Sequence, residues 1–205
     1  MVEGNRITED SNLSSIKREE KLLAVLIDPD KTKPENVIGF MRKLNRSIAT
    51  HIFVGGSTVE EFATEKLVFE LNKHTNLPIV LFPGDVSQIT NHANAILYLS
   101  LLSGRNPEYL IGKHITSVSK LRNTNLEVIP TGYLLIENGK ETAVQRVTQT
   151  QPMPMDNIKA IVDTAKAGEF LGMQLIYLEA GSGAVKAIPK SIINAVKEDL
   201  KIPLI

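Results

Sequence analysis

The strongest constraint on the fold is a repeated order of short apolar runs, glycine-rich or acidic loops, and amphipathic segments. Residues 22–27 are apolar at every position, and Pro34 opens a segment with apolar side chains at helical spacing, namely Val37, Ile38, Met41 and Leu44. Continuous apolar runs are typical of parallel strands covered on both faces. Further strands are predicted at 51–54, 78–82, 95–100, 127–136 and 175–178. Strands alternating with helices predict a parallel α/β fold.

The number of these units favours a (β/α)8 TIM barrel. Six strands are followed by a seventh that begins at 202–205, and an open doubly wound sheet is the alternative. A barrel of this kind typically has ~250 residues. We therefore expect residues 1–205 to form a single domain, an incomplete (β/α)8 barrel that lacks its last strand or strands.

Several local features refine this prediction. Residues 86–94 are too short and polar for a full helix, so one helix position of the barrel is expected to be irregular. Thr58 with Glu61 resembles a helix-capping pair, with Phe62 on the packed face of the helix. Pro130 and Gly132 predict a bulge or a close backbone approach in the fifth strand. Residues 137–154 read as a small hairpin or mobile loop, 156–165 and 189–199 as helices, and 13–20 as a short amphipathic helix.

Composition excludes several classes of function. Lysine plus arginine equals aspartate plus glutamate at 23 each, so no overall positive field is present to attract nucleic acid. The chain has no cysteine, which excludes disulfides, thiolate metal sites and a cysteine nucleophile. The polar N-terminus has no signal-peptide core, and no apolar run approaches membrane-spanning length. We expect a cytoplasmic protein without stable membrane insertion.

The ends of the predicted strands carry the candidate chemistry. The sixth strand leads into an acid and two glycines that flank a serine, a pattern that suits a phosphate beside an acid or base, the alternative being a simple surface turn. Asp28, near Asp30 and Lys31, suits a hard cation such as Mg²⁺ that bridges to substrate phosphates; the alternative is a turn or capping residue. Residues 55–57, Gly-Gly-Ser, allow close backbone approach or cap the next helix.

Other candidate residues have a structural interpretation. The four histidines, His51, His74, His92 and His114, show no metal-ligand spacing and are expected to be structural or exposed. Tyr98, Tyr109 and Tyr133, with Leu101 near the first of them, are expected in the core or in the wall of an apolar groove. Such a groove would suit a hydrocarbon substrate.

Six motifs together resemble the geranylgeranylglyceryl phosphate synthase family. They are Ile27-Asp28-Pro29-Asp30-Lys31, Val54-Gly55-Gly56-Ser57-Thr58, Phe82-Pro83-Gly84, Ser103-Gly104-Arg105-Asn106-Pro107, Pro130-Thr131-Gly132-Tyr133 and Tyr177-Leu178-Glu179-Ala180-Gly181-Ser182-Gly183. They occur in the family's order from about residue 20 to the end of the sequence. The longer middle region is similar to the larger, second group of the family, which is related to the heptaprenylglyceryl phosphate synthases.

The resemblance implies a prenyltransferase of lipid biosynthesis. In that reaction the C3 hydroxyl of sn-glycerol 1-phosphate attacks C1 of a prenyl diphosphate, geranylgeranyl diphosphate being the first choice, and diphosphate is released. It further implies that Asp28 and Ser57 bind Mg²⁺ and that Glu179 takes the hydroxyl proton. Glycerol phosphate would be bound by Tyr177, Leu178, Glu179, Ala180, Gly181, Ser182 and Gly183. The family also suggests a homo-oligomer, either a dimer or a hexamer.

The resemblance has one departure. The family's seventh and eighth strands end in glycine-rich loops that complete the glycerol phosphate site, and these loops do not occur in the 205 residues. A protein without them is expected to be inactive. The alternative functions are another phosphate-binding barrel enzyme, of the phosphosugar isomerase or epimerase type, and a non-catalytic barrel that binds a phosphorylated ligand. The sequence does not determine the prenyl chain length, because the depth of a groove near Tyr98, Leu101 and Tyr109 depends on how these side chains are arranged in three dimensions.

Overall fold

The computed structural model describes residues 22–205 of the chain. It divides into two compact units. Unit 1 contains the described residues up to Leu97 together with Ser119–Val128, and unit 2 contains Tyr98–Val118 and Ile129–Ile205. The helix predicted at 13–20 lies outside the described residues, and the single-domain interpretation stays a prediction.

The six predicted strands are all present. They are β1 (Ala24–Ile27), β2 (His51–Val54), β3 (Ile79–Leu81), β4 (Ala95–Leu101), β5 (Glu127–Leu135) and β6 (Leu175–Glu179). In unit 1 the strands β1 to β4 lie side by side in sequence order, and each neighbouring pair is parallel. In unit 2 the order continues through β4, β5 and β6, with β5 and β6 parallel. A doubly wound sheet reverses its strand order at a switch point, and neither unit contains such a reversal.

The predicted start of a seventh strand is confirmed in unit 2. Leu204 forms a parallel bridge with Ile176 of β6. The Ile205 N–H donates to the Ile176 carbonyl at 2.9 Å, and the Leu178 N–H donates to the Ile205 carbonyl at 2.8 Å. The last residues of the sequence thus extend the parallel pairing by one neighbour.

Helices connect the strands. They are α1 (Pro34–Leu44), α2 (Ala63–Asn72), α3 (Lys113–Leu121), α4 (Ala143–Thr148), α5 (Ile158–Phe170) and α6 (Lys190–Asp199). A π-helical turn, Glu108–Gly112, leads into α3, and the short 86–94 connection contains only a 3₁₀ turn, Val86–Gln88, as predicted. None of the helices within residues 22–205 combines the length and the apolar character needed to cross a bilayer.

Each unit has its own core of helix and strand side chains. In unit 1, Met41 of α1 and Val68 of α2 are fully buried in the same cluster as Ile52 of β2. In unit 2, Ile161 of α5 and Val196 of α6 pack in the cluster that contains β6. Full burial of one such aliphatic side chain stabilises a fold by about 1.5–3 kcal/mol, so these contacts between helix and strand side chains stabilise each unit.

The prediction that the first strand is covered on both faces is wrong. Leu23 and Leu26 are 43% and 49% exposed, whereas Ile27 is buried. β1 is hydrogen-bonded to β2 along one edge, and one face of the strand is accessible to solvent at Leu26. In α1, Ile38 is likewise 51% exposed, because the helix buries only the stripe through Val37, Met41 and Leu44.

The predicted capping pair at Thr58 and Glu61 is also wrong. The α2 helix begins five residues later, at Ala63, and Phe62 adopts a left-handed backbone (φ 64°) with 57% of its surface exposed. The Glu60 N–H instead donates to Asp30 Oδ1 at 3.1 Å. A contact between loops 30 residues apart has replaced the local helix start.

The 137–154 segment does not form a hairpin. It contains α4, whose first turn is capped by Thr142 Oγ1 accepting the Gln145 N–H at 3.0 Å. Met153 then forms a parallel bridge with Ile136, just beyond β5. In β5 itself, Gly132 allows the predicted close approach, because an added Cβ would lie 2.7 Å from both Ile176 Cδ1 and Leu102 Cδ1.

Candidate active site

Glu179 is the last residue of β6 in unit 2. It is the register partner of Leu135 in β5, and its carbonyl accepts the Ile136 N–H at 2.8 Å, so its backbone is fixed by the sheet. Its side chain turns back over the following loop, where Oε1 accepts the Gly181 N–H at 2.5 Å. Parallel β-strands present functional side chains at their carboxyl ends, which is where the sequence predicts this acid.

Two tyrosines surround the Glu179 carboxylate. Tyr133 of β5 and Tyr177 of β6 are register partners whose rings stack with centroids 5.7 Å apart. The Tyr133 hydroxyl hydrogen-bonds to the Glu179 side chain, and Tyr133 is only 5% exposed. This contact was not predicted, because Tyr133 was assigned to the prenyl groove; that assignment stays a prediction.

Burial controls the protonation of this group of side chains. It raises the pKa of Glu179, an effect opposed by the hydrogen bonds from the Gly181 N–H and the Tyr133 hydroxyl. Burial, followed by the Glu179 charge, raises the pKa of Tyr177 to about 12 and that of Tyr133 well above its ordinary value. A carboxylate with a raised pKa is a stronger base, and both phenols remain protonated beside it.

The loop after Glu179 forms a tight turn with free donors. The Ala184 N–H donates to the Gly181 carbonyl at 3.1 Å and closes the turn. Gly181 and Gly183 have positive φ values of 93° and 69°, a conformation in which a side chain would be strained. Within the part of the chain that the structure describes, the N–H groups of Ser182 and Gly183 donate to no protein acceptor. Such consecutive donors can bind an anion.

The segment after β5 supports this turn. The Asn138 side-chain amide donates to the Ala180 carbonyl, and Asn138 is 2% exposed. Thr142 packs on Gly181 so closely that a Cβ on the glycine would lie 2.4 Å from Thr142 Cγ2. Neither residue was predicted from the sequence. Asn138-Gly139 signals only a turn, and nothing local links it to a loop about 40 residues later.

In unit 1, Asp28 follows β1 as predicted. Its Oδ1 accepts the Asp30 N–H at 3.1 Å, its Oδ2 pairs with Lys31 Nζ at 2.6 Å, and its side chain is 23% exposed. The capping role considered as an alternative is therefore present in the structure. It leaves the carboxylate accessible at the strand end and does not exclude a metal-binding role.

The Gly55-Gly56-Ser57 loop packs closely beside this carboxylate. A Cβ on Gly56 would lie 3.3 Å from Asp28 Oδ1, and one on Gly55 would lie 1.9 Å from the Phe82 carbonyl oxygen. Gln88 of the 3₁₀ turn holds the loop, because its amide donates to the Gly56 carbonyl at 2.8 Å and its Oε1 accepts the Gly56 N–H at 3.3 Å. Gln88 is 3% exposed, and its role was not predicted from the sequence.

The donor chemistry in unit 1 fits Mg²⁺. Residues 22–205 contain no group of three or more histidine, cysteine, aspartate or glutamate side chains that could enclose a metal ion. Mg²⁺ in phosphate-transferring sites is commonly held by one or two carboxylates together with substrate phosphates. Asp28, which already attracts the Lys31 ammonium, and the Ser57 hydroxyl are oxygen donors of the kind that such a site requires.

The remaining predicted groove residues belong to unit 2. The Tyr98 hydroxyl donates to the His114 carbonyl at 2.8 Å, the Tyr109 hydroxyl donates to the Val147 carbonyl at 3.3 Å, and Leu101 is 5% exposed. The His114 ring lies 4.2 Å from that of Tyr98, and burial lowers its pKa, which agrees with a structural role for this histidine. Whether these residues line a prenyl groove stays a prediction.

A separate cavity of about 320 Å³ opens in unit 2. It is lined by Glu137, Gly139, Pro154, Met155, Asp156 and Lys186. None of the residues selected from the sequence lines this cavity. Its lining charges are of both signs and exposed.

Fold and site together define a class of α/β proteins with parallel strands, in which a carboxylate of raised pKa and a glycine turn able to bind an anion lie at a strand end. Comparison with known families narrows this class. Residues 14–205 match the PcrB family over nearly the whole chain, and the chain belongs to that family.

Relatives with a known name agree with this membership. The chain is 53% identical to a geranylgeranylglyceryl phosphate synthase of Flavobacterium johnsoniae over 193 residues, which cover 94% of this chain and 79% of the relative. It is 39% identical to the Pyrococcus furiosus protein of the same name over 187 residues, which cover 91% and 74%.

A solved structure has the same fold. The (S)-3-O-geranylgeranylglyceryl phosphate synthase of Thermoplasma acidophilum, in complex with its substrate sn-glycerol-1-phosphate, matches with a TM-score of 0.87 at 29% identity. The match covers 95% of this chain and 79% of that protein.

Proposed function

We propose that this protein is a Mg²⁺-dependent prenyltransferase that forms an ether between the C3 hydroxyl of sn-glycerol 1-phosphate and C1 of a prenyl diphosphate. Geranylgeranyl diphosphate is the donor that the names of its relatives favour. The observation that carries the proposal is Glu179, a partly buried carboxylate with a raised pKa, placed directly before a glycine turn whose N–H groups meet no acceptor among the described residues.

Glu179 acts as the general base. As the C3 oxygen bonds to C1 of the prenyl chain, the C1–O bond to diphosphate breaks, and its electron pair leaves with the diphosphate. The hydroxyl proton passes to the Glu179 carboxylate. A glycerol hydroxyl is a weak nucleophile, so a positioned base commonly accelerates such a step by about 10²–10⁴-fold. The Gly181 N–H and the Tyr133 hydroxyl orient the carboxylate for this transfer.

Asp28 and Ser57 would hold the metal ion. When bound, Mg²⁺ neutralises the charge that develops on the leaving diphosphate. Asp28 would exchange its contact with Lys31, an exposed ion pair of small energetic value. Gly55 and Gly56 keep the backbone beside the carboxylate free of side chains.

We further propose that the protein closes as a (β/α)8 barrel and forms a homo-oligomer, a dimer or a hexamer. The sequential strand order in each unit and the likeness to the Thermoplasma acidophilum synthase support the barrel. Light scattering after size-exclusion chromatography tests the oligomer, and a monomeric mass would refute that part of the proposal.

The function is tested by incubating the complete protein with Mg²⁺, either enantiomer of glycerol phosphate, and farnesyl, geranylgeranyl or heptaprenyl diphosphate. The expected product is the prenyl ether of sn-glycerol 1-phosphate, with none from Glu179→Gln. A folded protein that makes no ether from any pair refutes the proposal. Isomerisation of a phosphosugar, or phosphate binding without turnover, would then support one of the alternative functions.

A further inference from the structure

The glycine turn offers a phosphate group only neutral donors. Ser182 and Gly183 are exposed residues, and no acceptor within the described residues bonds to their N–H groups. A phosphate monoester carries between one and two negative charges near neutral pH. Binding one firmly is favoured by a cation nearby, since hydrogen bonds between charged groups are the stronger ones.

Lys140 places an ammonium group at this turn. Its Nζ lies 3.0 Å from the position that a Cβ on Gly183 would occupy, and its Cε lies 4.0 Å from it. Lys140 is exposed and forms no ion pair with any described residue. The adjacent acid, Glu141, pairs instead with Arg146 at 3.2 Å, so it does not neutralise Lys140.

The backbone around Lys140 is anchored on the same loop. Asn138 Oδ1 accepts the Lys140 N–H at 2.9 Å, while the Asn138 amide donates to the Ala180 carbonyl. On the other side of the turn, the Lys186 N–H donates to the Asn138 carbonyl at 3.2 Å. Because Asn138 is 2% exposed and bonded in both directions, it keeps Lys140 beside the glycine turn.

We propose that Lys140 is a substrate-binding residue that recognises the phosphate group of the acceptor substrate at the Ser182–Gly183 turn. This inference rests on the proposed function. It adds a residue from the segment after β5 to a site that the sequence motif confines to the loop after β6. Lys140 distinguishes a phosphorylated from an unphosphorylated glycerol and has no part in the proton transfer.

The test compares the complete protein with Lys140→Gln, Lys140→Arg and the control Lys159→Gln. Lys159 lies on α5, is 84% exposed and pairs with Asp163. Isothermal titration with sn-glycerol 1-phosphate gives Kd, and steady-state assays give kcat and both KM values. We expect Lys140→Gln to raise Kd and the KM for glycerol phosphate about tenfold, with kcat and the KM for the prenyl diphosphate near those of the unmodified protein.

Two further readouts separate binding from a structural effect. Lys140→Arg retains the charge and is expected to restore most of the affinity. The unmodified protein should lose affinity as ionic strength rises, and Lys140→Gln should lose less, because salt screens an exposed charge pair.

The outcomes distinguish this inference from the proposed function. If Lys140→Gln and Lys159→Gln both remain within twofold of the unmodified protein, the inference is wrong while ether synthesis stands. If the unmodified protein neither binds glycerol phosphate nor makes ether, the proposed function itself fails.

Discussion

Removing the Tyr133 hydroxyl tests what controls the protonation of Glu179, the proposed base. This hydroxyl donates to the Glu179 carboxylate, and the Gly181 N–H also donates to it, at 2.5 Å. Both hydrogen bonds favour the ionised form, against the burial that raises the pKa of Glu179. With Tyr133→Phe one of the two is lost, so the pKa of Glu179 rises further. Glu179 is then ionised, and active as a base, only at higher pH.

The size of the effect follows from the environment of the contact. Tyr133 is 5% exposed, so a water molecule does not readily replace its hydroxyl. A hydrogen bond to a charged group contributes roughly 1.5–3 kcal/mol, and 1.36 kcal/mol corresponds to a factor of ten. On the acid limb of the pH profile, kcat/KM is therefore expected to fall about tenfold or more. Above that limb the loss shrinks, because Glu179 is ionised in both proteins.

The assay is the pH dependence of kcat/KM for ether formation, with folding checked by thermal melting. Tyr98→Phe is a matched deletion of a hydroxyl that donates to the His114 carbonyl. Whatever it does to prenyl binding, it should leave the position of the acid limb unchanged. If the limb of Tyr133→Phe coincides with that of the unmodified protein, the hydroxyl does not tune Glu179 and the reasoning is refuted.

Three further predictions concern the proposed base, the glycine loop and the proposed metal ligand. Burial raises the pKa of Glu179 above its unfolded value, so the contribution of Glu179 to folding stability is full at low pH and is lost as pH rises. Glu179→Gln should therefore have a higher melting temperature than the unmodified protein near pH 7, and the difference should disappear below about pH 4. Identical melting at every pH would contradict this prediction. Gly55→Ala should lower the free energy of unfolding in urea by about 1–3 kcal/mol or more, because its Cβ would lie 1.9 Å from a carbonyl oxygen. The control Gly39→Ala in α1, with nothing within 4 Å of the added Cβ, should raise it by about 0.5–1 kcal/mol. Equal effects of the two substitutions would refute the packing argument. Asp28→Asn keeps an acceptor for the Asp30 N–H, so it should change the free energy of unfolding by less than about 0.5 kcal/mol. It should also raise the Mg²⁺ concentration that gives half-maximal activity. An unchanged Mg²⁺ concentration for half-maximal activity would count against Asp28 as a ligand.

Burial of Glu179 has opposite consequences for stability and for its proposed role as a base. An ionised carboxylate in a poorly solvated site costs folding free energy, and the same environment makes it a better proton acceptor. The stacked tyrosines supply this environment, and the Tyr133 hydroxyl limits the penalty. The site therefore balances two demands on one carboxylate.

Much of the fold could be predicted from the sequence because its signals are local. Apolar runs bounded by loop residues are a local signal for strands, and all six predicted strands are present within one or two residues of their predicted ends. The prediction failed where a distant contact outweighed a local signal. Glu60 follows the helix-cap candidate Thr58, but its N–H is held by Asp30, and the helix begins at Ala63.

Sequence alone determined that Asp28 follows a strand and that Glu179 lies at the end of one, because the apolar runs before them are local signals. Tertiary structure alone decided which groups surround them. Tyr133 meets Glu179 through the register of β5 with β6. Asn138 reaches Ala180 across 42 residues, and its neighbour Lys140 reaches Gly183. Contacts of that separation leave no periodic pattern in the chain, since they depend on strand register and loop packing, which only folding establishes.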